Sequence, residues 1–395
     1  MMDKKKIFLL IIISFFMTGC WNYNELNSLA ITTSMAVDKS GNDYEVSILI
    51  ANSRNKQSTT EEGQSQTVVY SAKGKTLSEA LKNIDLENPR QTYVGHLSSI
   101  IISEEVAREG LLNVLDLLLR NSESTKRFFI AVARKDKAKD ILKIVSPLEA
   151  FPAQTISTNI KSSSESQAVS IAVIYSDFID KMIKVGVEPV LPTITIEGSE
   201  KGGSKNKNLE QSEPIANLKL STVAVFKDDK LIDFADKNQS RGINLALNKI
   251  ESMIIQYKCD ENYLVSEVTN VKSSIDVDVK DDVSVTINIK TNGDIIENTC
   301  DISLIDPDNI DDIEDDVEKK IKKLIKEGVD YAQDNVKLDV FGIGNMVYKQ
   351  NPNYFKKIDD WNEYFSNIDI KIKVDADITT KGSSKQSLKE ALNGN

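Results

Sequence analysis

Apolar residues form one uninterrupted block near the start of this chain and periodic patterns after it. The block is Ile7 to Met17, eleven mostly apolar residues preceded by Lys4, Lys5 and Lys6 and followed by Thr18-Gly19-Cys20. As a helix it rises about 16 Å, roughly half of the ~30 Å hydrocarbon core, so it is too short to span a bilayer. A basic n-region, a short apolar h-region and a small residue before the junction make a secretory signal. A cysteine at that junction is what a bacterial lipoprotein signal requires. Its thiol takes a diacylglyceryl group, cleavage falls before it, and the new amino terminus can be acylated. Residues 1–19 are therefore read as a lipoprotein signal peptide and Cys20 as the lipidation site.

Period-two patterns follow. Leu29 to Val37 is an apolar, β-rich run, Lys39-Ser40-Gly41-Asn42-Asp43 supplies turn chemistry, and Tyr44, Val46, Ile48 and Ile50 alternate, which predicts a hairpin over 29–51. A strand is expected at Thr67 to Ser71. Thr76 and Glu79 have the spacing of a capping box and open a helix from Leu77 to Ile84. Leu97 to Ile102 reads as a buried strand, with Ser103 as the cap of a following helix. The segment 110–119 is almost solid leucine, wider than the ~100° stripe of a helix packed on one side, so the helix is either buried on two sides, the favoured expectation, or partly exposed to meet a membrane partner. Arg127 to Ala133 reads as a strand and Lys137 to Ile144 as a helix.

Between 147 and 200 the pattern weakens. Pro147 and Pro152 punctuate a serine-rich stretch, Ile171, Ile174, Phe178 and Met182 mark a helix ending at Gly186, and Pro189 and Pro192 flank a short strand, Thr193 to Ile196. The glycine- and lysine-rich run that follows reads as a linker. Beyond it, Leu218 to Phe226 and Leu231 to Phe234 predict a hairpin around Asp228-Asp229. A helix over 241–256 comes next, then strands at 263–270, 274–280, 283–290 and 295–304. Ile275, Val277 and Val279 are placed to pair with Val283, Val285, Ile287 and Ile289 as an antiparallel sheet with one wet face. Ile310, Ile313, Val317, Ile321, Leu324 and Ile325 stripe a long helix to Val336, with acids early and lysines late. A strand from Ile368 to Ile378 closes the chain's last domain.

These patterns predict an α+β (mixed α/β) chain of several domains, with largely antiparallel sheets packed with helices. The divisions are an N-terminal α/β domain at 20–146, a small second lobe at 147–200, a linker at 201–213, a sheet-plus-helix domain at 214–380 and a tail at 381–395.

Composition narrows the partners. Forty per cent hydrophobic and 28% charged residues describe a globular chain, and a formal charge of −11 argues against nucleic acid and against electrostatic docking on anionic lipid. Acyl chains, at about 0.8 kcal/mol per buried methylene, must then supply the membrane affinity. Besides Cys20 there are only Cys259 and Cys300. Export permits a disulfide between them, and two free buried thiols is the reading favoured from sequence.

Catalytic chemistry is sparse. His96 is the single histidine, which excludes a histidine-rich zinc site, argues against a Ser–His–Asp or Cys–His hydrolase, and is read as structural. Gly342-Ile343-Gly344 lacks the third glycine and the βαβ setting of a dinucleotide fingerprint. Asp306 to Asp316 lacks the glycine and closing glutamate of a calcium loop. No metal or cofactor is expected, and the residues describe a tethered interaction or ligand-binding protein.

An ordered set of segments resembles the C-subunit lipoproteins of spore germinant receptors, the GerAC type. They are Gly19-Cys20-Trp21-Asn22, Glu25 to Ile31, Gly95-His96-Leu97, Leu115 to Arg120, Ala138 to Leu142, Pro147-Leu148-Glu149 with Pro152-Ala153, Ala224 to Lys227, Arg241-Gly242, Asp339 to Gly344, Asn351-Pro352 and Trp361. Asn22 stands where the family more often has Asp. The resemblance implies a three-domain mixed α/β body on the outer face of the spore inner membrane. It also implies a complex with two membrane partners, the A and B subunits, that senses small germinants. It carries over no catalytic residue, and only Cys20 takes a defined role from it. Gly95 to Leu97 and Asp339 to Gly344 are read as turns and domain packing. A transporter's substrate-binding lipoprotein and a lipid-anchored cell-wall hydrolase are the alternatives.

Overall fold

The computed structural model describes residues 28–51, 67–121, 123–149, 151–300, 302–304 and 306–379. Two sheets carry the fold. The larger has nine strands: β1 (Leu29–Ser40), β2 (Asp43–Ala51), β3 (Thr67–Gly74), β4 (Gln91–Tyr93), β5 (Ser99–Ser103), β6 (Phe129–Ala133), β7 (Val190–Gly198), β8 (Ala216–Lys227) and β9 (Lys230–Phe234). Their order is β3-β2-β1-β5-β6-β7-β8-β9, with β4 beside the start of β1. The middle pairs β1–β5, β5–β6 and β6–β7 are parallel, and the flanks are antiparallel hairpins.

Parallel strands need both faces covered, and they are. All five residues of β5 are buried. One face packs against Leu77, Ile84, Val114, Leu115, Leu118 and Phe178, from three helices. The other packs against Ile141, Leu142, Ile156 and Ile160, from the helices Ala138–Lys143 and Pro152–Gln167. The predicted caps form: Thr76 Oγ1 accepts from Glu79 N, and Ser103 Oγ from Val106 N.

The second sheet is β10 (Ser252–Cys259), β11 (Asn262–Val279), β12 (Val283–Asn298) and β13 (Ile370–Thr379), in that order. Ile275 pairs with Ile287, Val277 with Val285 and Val279 with Val283, the expected register. β13 lies parallel to β12, reached through the helix Pro307–Asp330, a π-helical turn at Tyr331–Val336 and three shorter helices. Ile313, Val317, Ile321, Leu324 and Ile325 of the long helix are buried, each worth about 1.5–3 kcal/mol of burial. The expected mixed α/β class with largely antiparallel sheets is borne out.

Several expectations are corrected. The strand of the supposed second lobe is β7, inside the large sheet, so residues 147–200 do not form a separate unit. Residues 201–213 connect two antiparallel neighbours and include a turn at Asn206–Asn208. The buried Asn208 donates to Val145 O and Ala216 O there. The serine-rich stretch is the sixteen-residue helix Pro152–Gln167, whose narrow stripe is Ala153, Ile156, Ile160 and Ser164. The helix expected over 241–256 is Lys237–Ala246, started by a capping box of Asp236 and Gln239, and a strand follows. Burial of Met253 and Ile255 with exposure of Ile254 and Gln256 is period two, not 3.6. The four expected strands after 263 are two long ones with bulges near Val265 and Thr269. Cys259 and Cys300 form a disulfide, Cα–Cα 6.1 Å, instead of two free thiols. The cysteines meet because Thr299 hydrogen-bonds back to Tyr263 across the end of β11, beside the end of β10.

Candidate functional site

The leucine helix occupies Leu112–Arg120. Asp229, at the tip of the β8–β9 hairpin, pins its start: the carbonyl accepts from Leu111 N and the carboxylate from Leu112 N, both at 3.0 Å. Leu111, Val114, Leu115 and Leu118 are buried, whereas Leu112 is 58% and Leu119 55% exposed. Complete burial is therefore not what the helix achieves. Its outer face holds these two leucines, seven residues apart and so nearly in line along the helix, beside an Asp116–Arg120 ion pair of 2.8 Å. Beside it a 440 Å³ cleft is lined by Tyr44, Thr76, Leu77, Asn113, Leu117 and Arg120. Tyr175, whose hydroxyl donates to Leu115 O at 2.6 Å, anchors the inner face. Burial pushes that phenol up to about 12.

A second constellation joins the two sheets. Asp339 is fully buried, and its carboxylate accepts from the backbone N–H of Phe341, Gly342, Ile343 and Gly344 and from Trp361 Nε1, at 2.7–3.2 Å. Burial raises its proton affinity and these donors lower it. Five N–H groups aimed at two oxygens suit the ionised form, since a protonated carboxyl would turn a donor toward donors. Gly344 allows this approach, because a Cβ there would stand 2.4 Å from Trp361 Nε1. The same turn grips the segment leading into β7. Asn345 N donates to Gly186 O, Asn345 Nδ2 to Val185 O, and Glu188 N to Asp339 O. Gly186 has φ +68°, and its own Cβ would meet Gly344 C at 2.5 Å. Asn362 donates to Glu188 Oε1 and accepts from Asp339 N, and Glu188 Oε2 accepts from Asp228 N. Burial raises the Glu188 carboxyl, and the Asp228 amide and Asn362 oppose that. The Asp339–Gly344 motif is thus a knot between the sheets, with its hydrogen-bonding capacity already used.

A second glycine motif does similar work between helices. A Cβ on Gly242 would meet Leu324 O at 2.0 Å and one on Gly328 would meet Ile243 N at 2.7 Å, so Lys237–Ala246 and Pro307–Asp330 touch backbone to backbone. The neighbouring Arg241 Nε donates to Gln167 O.

His96 is exposed, set edge-on to Tyr93 with ring centroids 5.9 Å apart. The Tyr93 ring also occupies the space a Cβ on Gly95 would need. Cys20 lies outside the described residues. Among the described residues no group of His, Cys, Asp and Glu is placed to hold a metal, and no helix is long and apolar enough to cross a membrane. Sequence reasoning passed over Asp339 as a carboxylate hub. Its signal was an aspartate set directly before a glycine-spaced turn.

Two family models match the chain. The spore germination protein N-terminal domain covers residues 22–196, and the spore germination B3/GerAC-like C-terminal domain covers 221–382. Spore germination protein KC of Bacillus subtilis (strain 168) is 25% identical over 393 residues, 94% of each chain. The putative spore germination protein YfkR of the same organism is 30% identical over 307 residues, 75% of this chain and 76% of its own. The crystal structure of the GerBC protein superposes with a TM-score of 0.53 at 17% identity, covering 88% of this chain and 97% of that one. At that identity the likeness is one of fold.

Proposed function

This chain belongs to the GerAC-type family of spore germination proteins, and we propose that it is the lipid-anchored, non-enzymatic C subunit of a germinant receptor. In this reading Cys20 carries the diacylglyceryl group, and the body stands on the outer face of the spore inner membrane. There it assembles with the A and B membrane subunits, and the complex responds to small-molecule germinants. The observation that carries the proposal is the pair of family matches spanning residues 22–382 in one order. The anchoring step is supported by the basic, apolar and Gly19-Cys20 pattern of the first twenty residues. The knot at Asp339 favours a rigid adaptor over a two-lobed ligand trap, because closing such a trap would require its buried hydrogen bonds to open.

The test is Cys20→Ala in spores. The variant is expected to leave the detergent phase, or to persist as uncleaved precursor, and the spores to respond poorly to the receptor's germinant. Affinity purification of the wild type from spore membranes is expected to bring down both membrane subunits. Normal partitioning and germination in the variant would remove the anchoring argument. Failure to recover the partners from wild-type membranes would remove the receptor assignment.

A further inference from the structure

The two outer strands of the smaller sheet end very differently. On β13, the backbone N–H groups of Ala376 and Ile378 are taken by Glu318 and Glu314 of the long helix, at 3.1 and 2.8 Å. The later half of that edge is covered by the helix. On β10, Glu251 N just before the strand donates to Glu165 O, and then the cover stops. Among the described residues β10 pairs only with β11, and Cys259 opposes Asn262 across a two-residue turn. In such a hairpin the closing pair is hydrogen-bonded, so Met253, Ile255 and Tyr257 bond inward as well. Ile254, Gln256 and Lys258 therefore direct N–H and C=O outward, and those groups make no hydrogen bond to another described residue.

This open edge is the floor of a cleft of about 890 Å³, lined by every residue from Met253 to Lys258. The walls come from the start of the helix Lys237–Ala246, the middle of Pro307–Asp330 and Gln167. Their charge is opposite to that of the molecule. Lys237, Arg241, Lys258, Lys319, Lys320 and Lys323 face Asp316 and Glu327, in a chain of formal charge −11. Lys319 is shared with Asp315 and Asp316, and Lys258 lies 3.7 Å from Glu261. Lys237, Lys320 and Lys323 have no ion pair among the described residues.

We propose that this cleft binds an acidic, extended segment of a partner protein, which adds to β10 as a further strand. Strand addition supplies both donors and acceptors to the open edge, and alternate side chains give specificity. A small anion satisfies only the N–H groups and is repelled by the carbonyls beside them, so the floor selects a polypeptide. The lysine walls then select its charge. The chain's own unassigned segments do not fit. Residues 380–395 carry Lys381, Lys385 and Lys389 against Glu390, residues 52–66 carry Arg54 and Lys56 against Glu61 and Glu62, and residues 20–27 offer the single acid Glu25 within eight residues that run directly into β1. The occupant is therefore a different protein.

The test uses the purified full chain in detergent and a nine-residue peptide alternating Glu and Val. Controls are a peptide alternating Lys and Val, the Glu–Val peptide with two central prolines, and inorganic tripolyphosphate. The Glu–Val peptide is expected to slow amide exchange about tenfold at 254, 256 and 258, and the controls are not. The exposed-surface variant Lys320→Glu/Lys323→Glu is expected to weaken binding about tenfold with an unchanged melting temperature. Gln256→Pro, which deletes one outward donor at an edge that tolerates proline, is expected to abolish the protection. Equal binding of the Lys–Val peptide, or tripolyphosphate binding with no peptide protection of β10, would overturn strand addition. So would the absence of any binding, which would make the lysines mere guards of an open edge.

Discussion

Asp339, fully buried, and Lys181, half-buried, are charges treated in opposite ways by their surroundings. Around Asp339, five N–H donors replace the lost water. Asp339→Asn would turn an amide N–H₂ toward those donors and leave part of the knot unsatisfied. The expected loss is about 3–5 kcal/mol, as for breaking a buried charged network, read by urea unfolding at neutral pH. A loss under about 1 kcal/mol would show that the turn holds without its carboxylate. Lys181, on the helix Tyr175–Ile183, has no such set of partners. Burial, with Lys249 and Lys184 nearby, holds its ammonium down to about 8, against the pull of Asp177 and Asp339. A lysine lowered on folding binds fewer protons in the native state than in the unfolded one between about pH 8 and 10.5. Stability attributable to it therefore rises with pH across that window, and its cost is full at pH 7. Lys181→Met is expected to stabilise by on the order of 1–3 kcal/mol at pH 7. The gain should fade as the pH passes 10, and paired denaturant melts at pH 7 and 10 check both sign and window. An equal gain at both pH values would assign the effect to packing.

Helices and strands were legible wherever a local device fixed them. Thr76 with Glu79, Ser103 before its helix, and the alternation on both sides of Lys280-Asp281-Asp282 could be read from the chain because cap, period and turn agreed. Pro152–Gln167 could not, since its stripe contains one alanine and one serine among two isoleucines and its exposed face is rich in serine. The Asp236–Gln239 box is masked by a stronger apolar run, Ile250 to Ile255, which draws the expected helix toward the carboxyl end, past Ala246 and into the following strand. The leucine helix shows the opposite error. Seven apolar residues suggested burial all round, and the backbone's rotation leaves Leu112 and Leu119 outside. Leu119→Asp is therefore expected to shift the melting temperature by no more than a few degrees. If this face docks on a membrane subunit, the same change reduces co-purification. Unchanged co-purification would place that interface elsewhere.

At the scale of the whole molecule, sequence gave the class and the order of elements but not the partition. Nothing local to Val190–Gly198 or Ala216–Lys227 says that they extend a sheet begun at Leu29. β7 joins that sheet by setting Thr193 opposite Val132, well outside any local window, and β8 then pairs back onto β7. The knot at Asp339 was visible only as a motif, because its partners at Val185 to Glu188 and Trp361 are remote in the chain. The position of β1 has a mechanical consequence. β1 is the first strand of the described residues, and it is hydrogen-bonded to β2, β4 and β5. A tug from the amino-terminal side, the direction in which a lipid tether acts, runs along β1 and across its hydrogen bonds. Both ladders would then bear the load in shear, all rungs together, instead of unzipping one at a time, so under the proposed anchoring at Cys20 this strand would resist being pulled open by the tether.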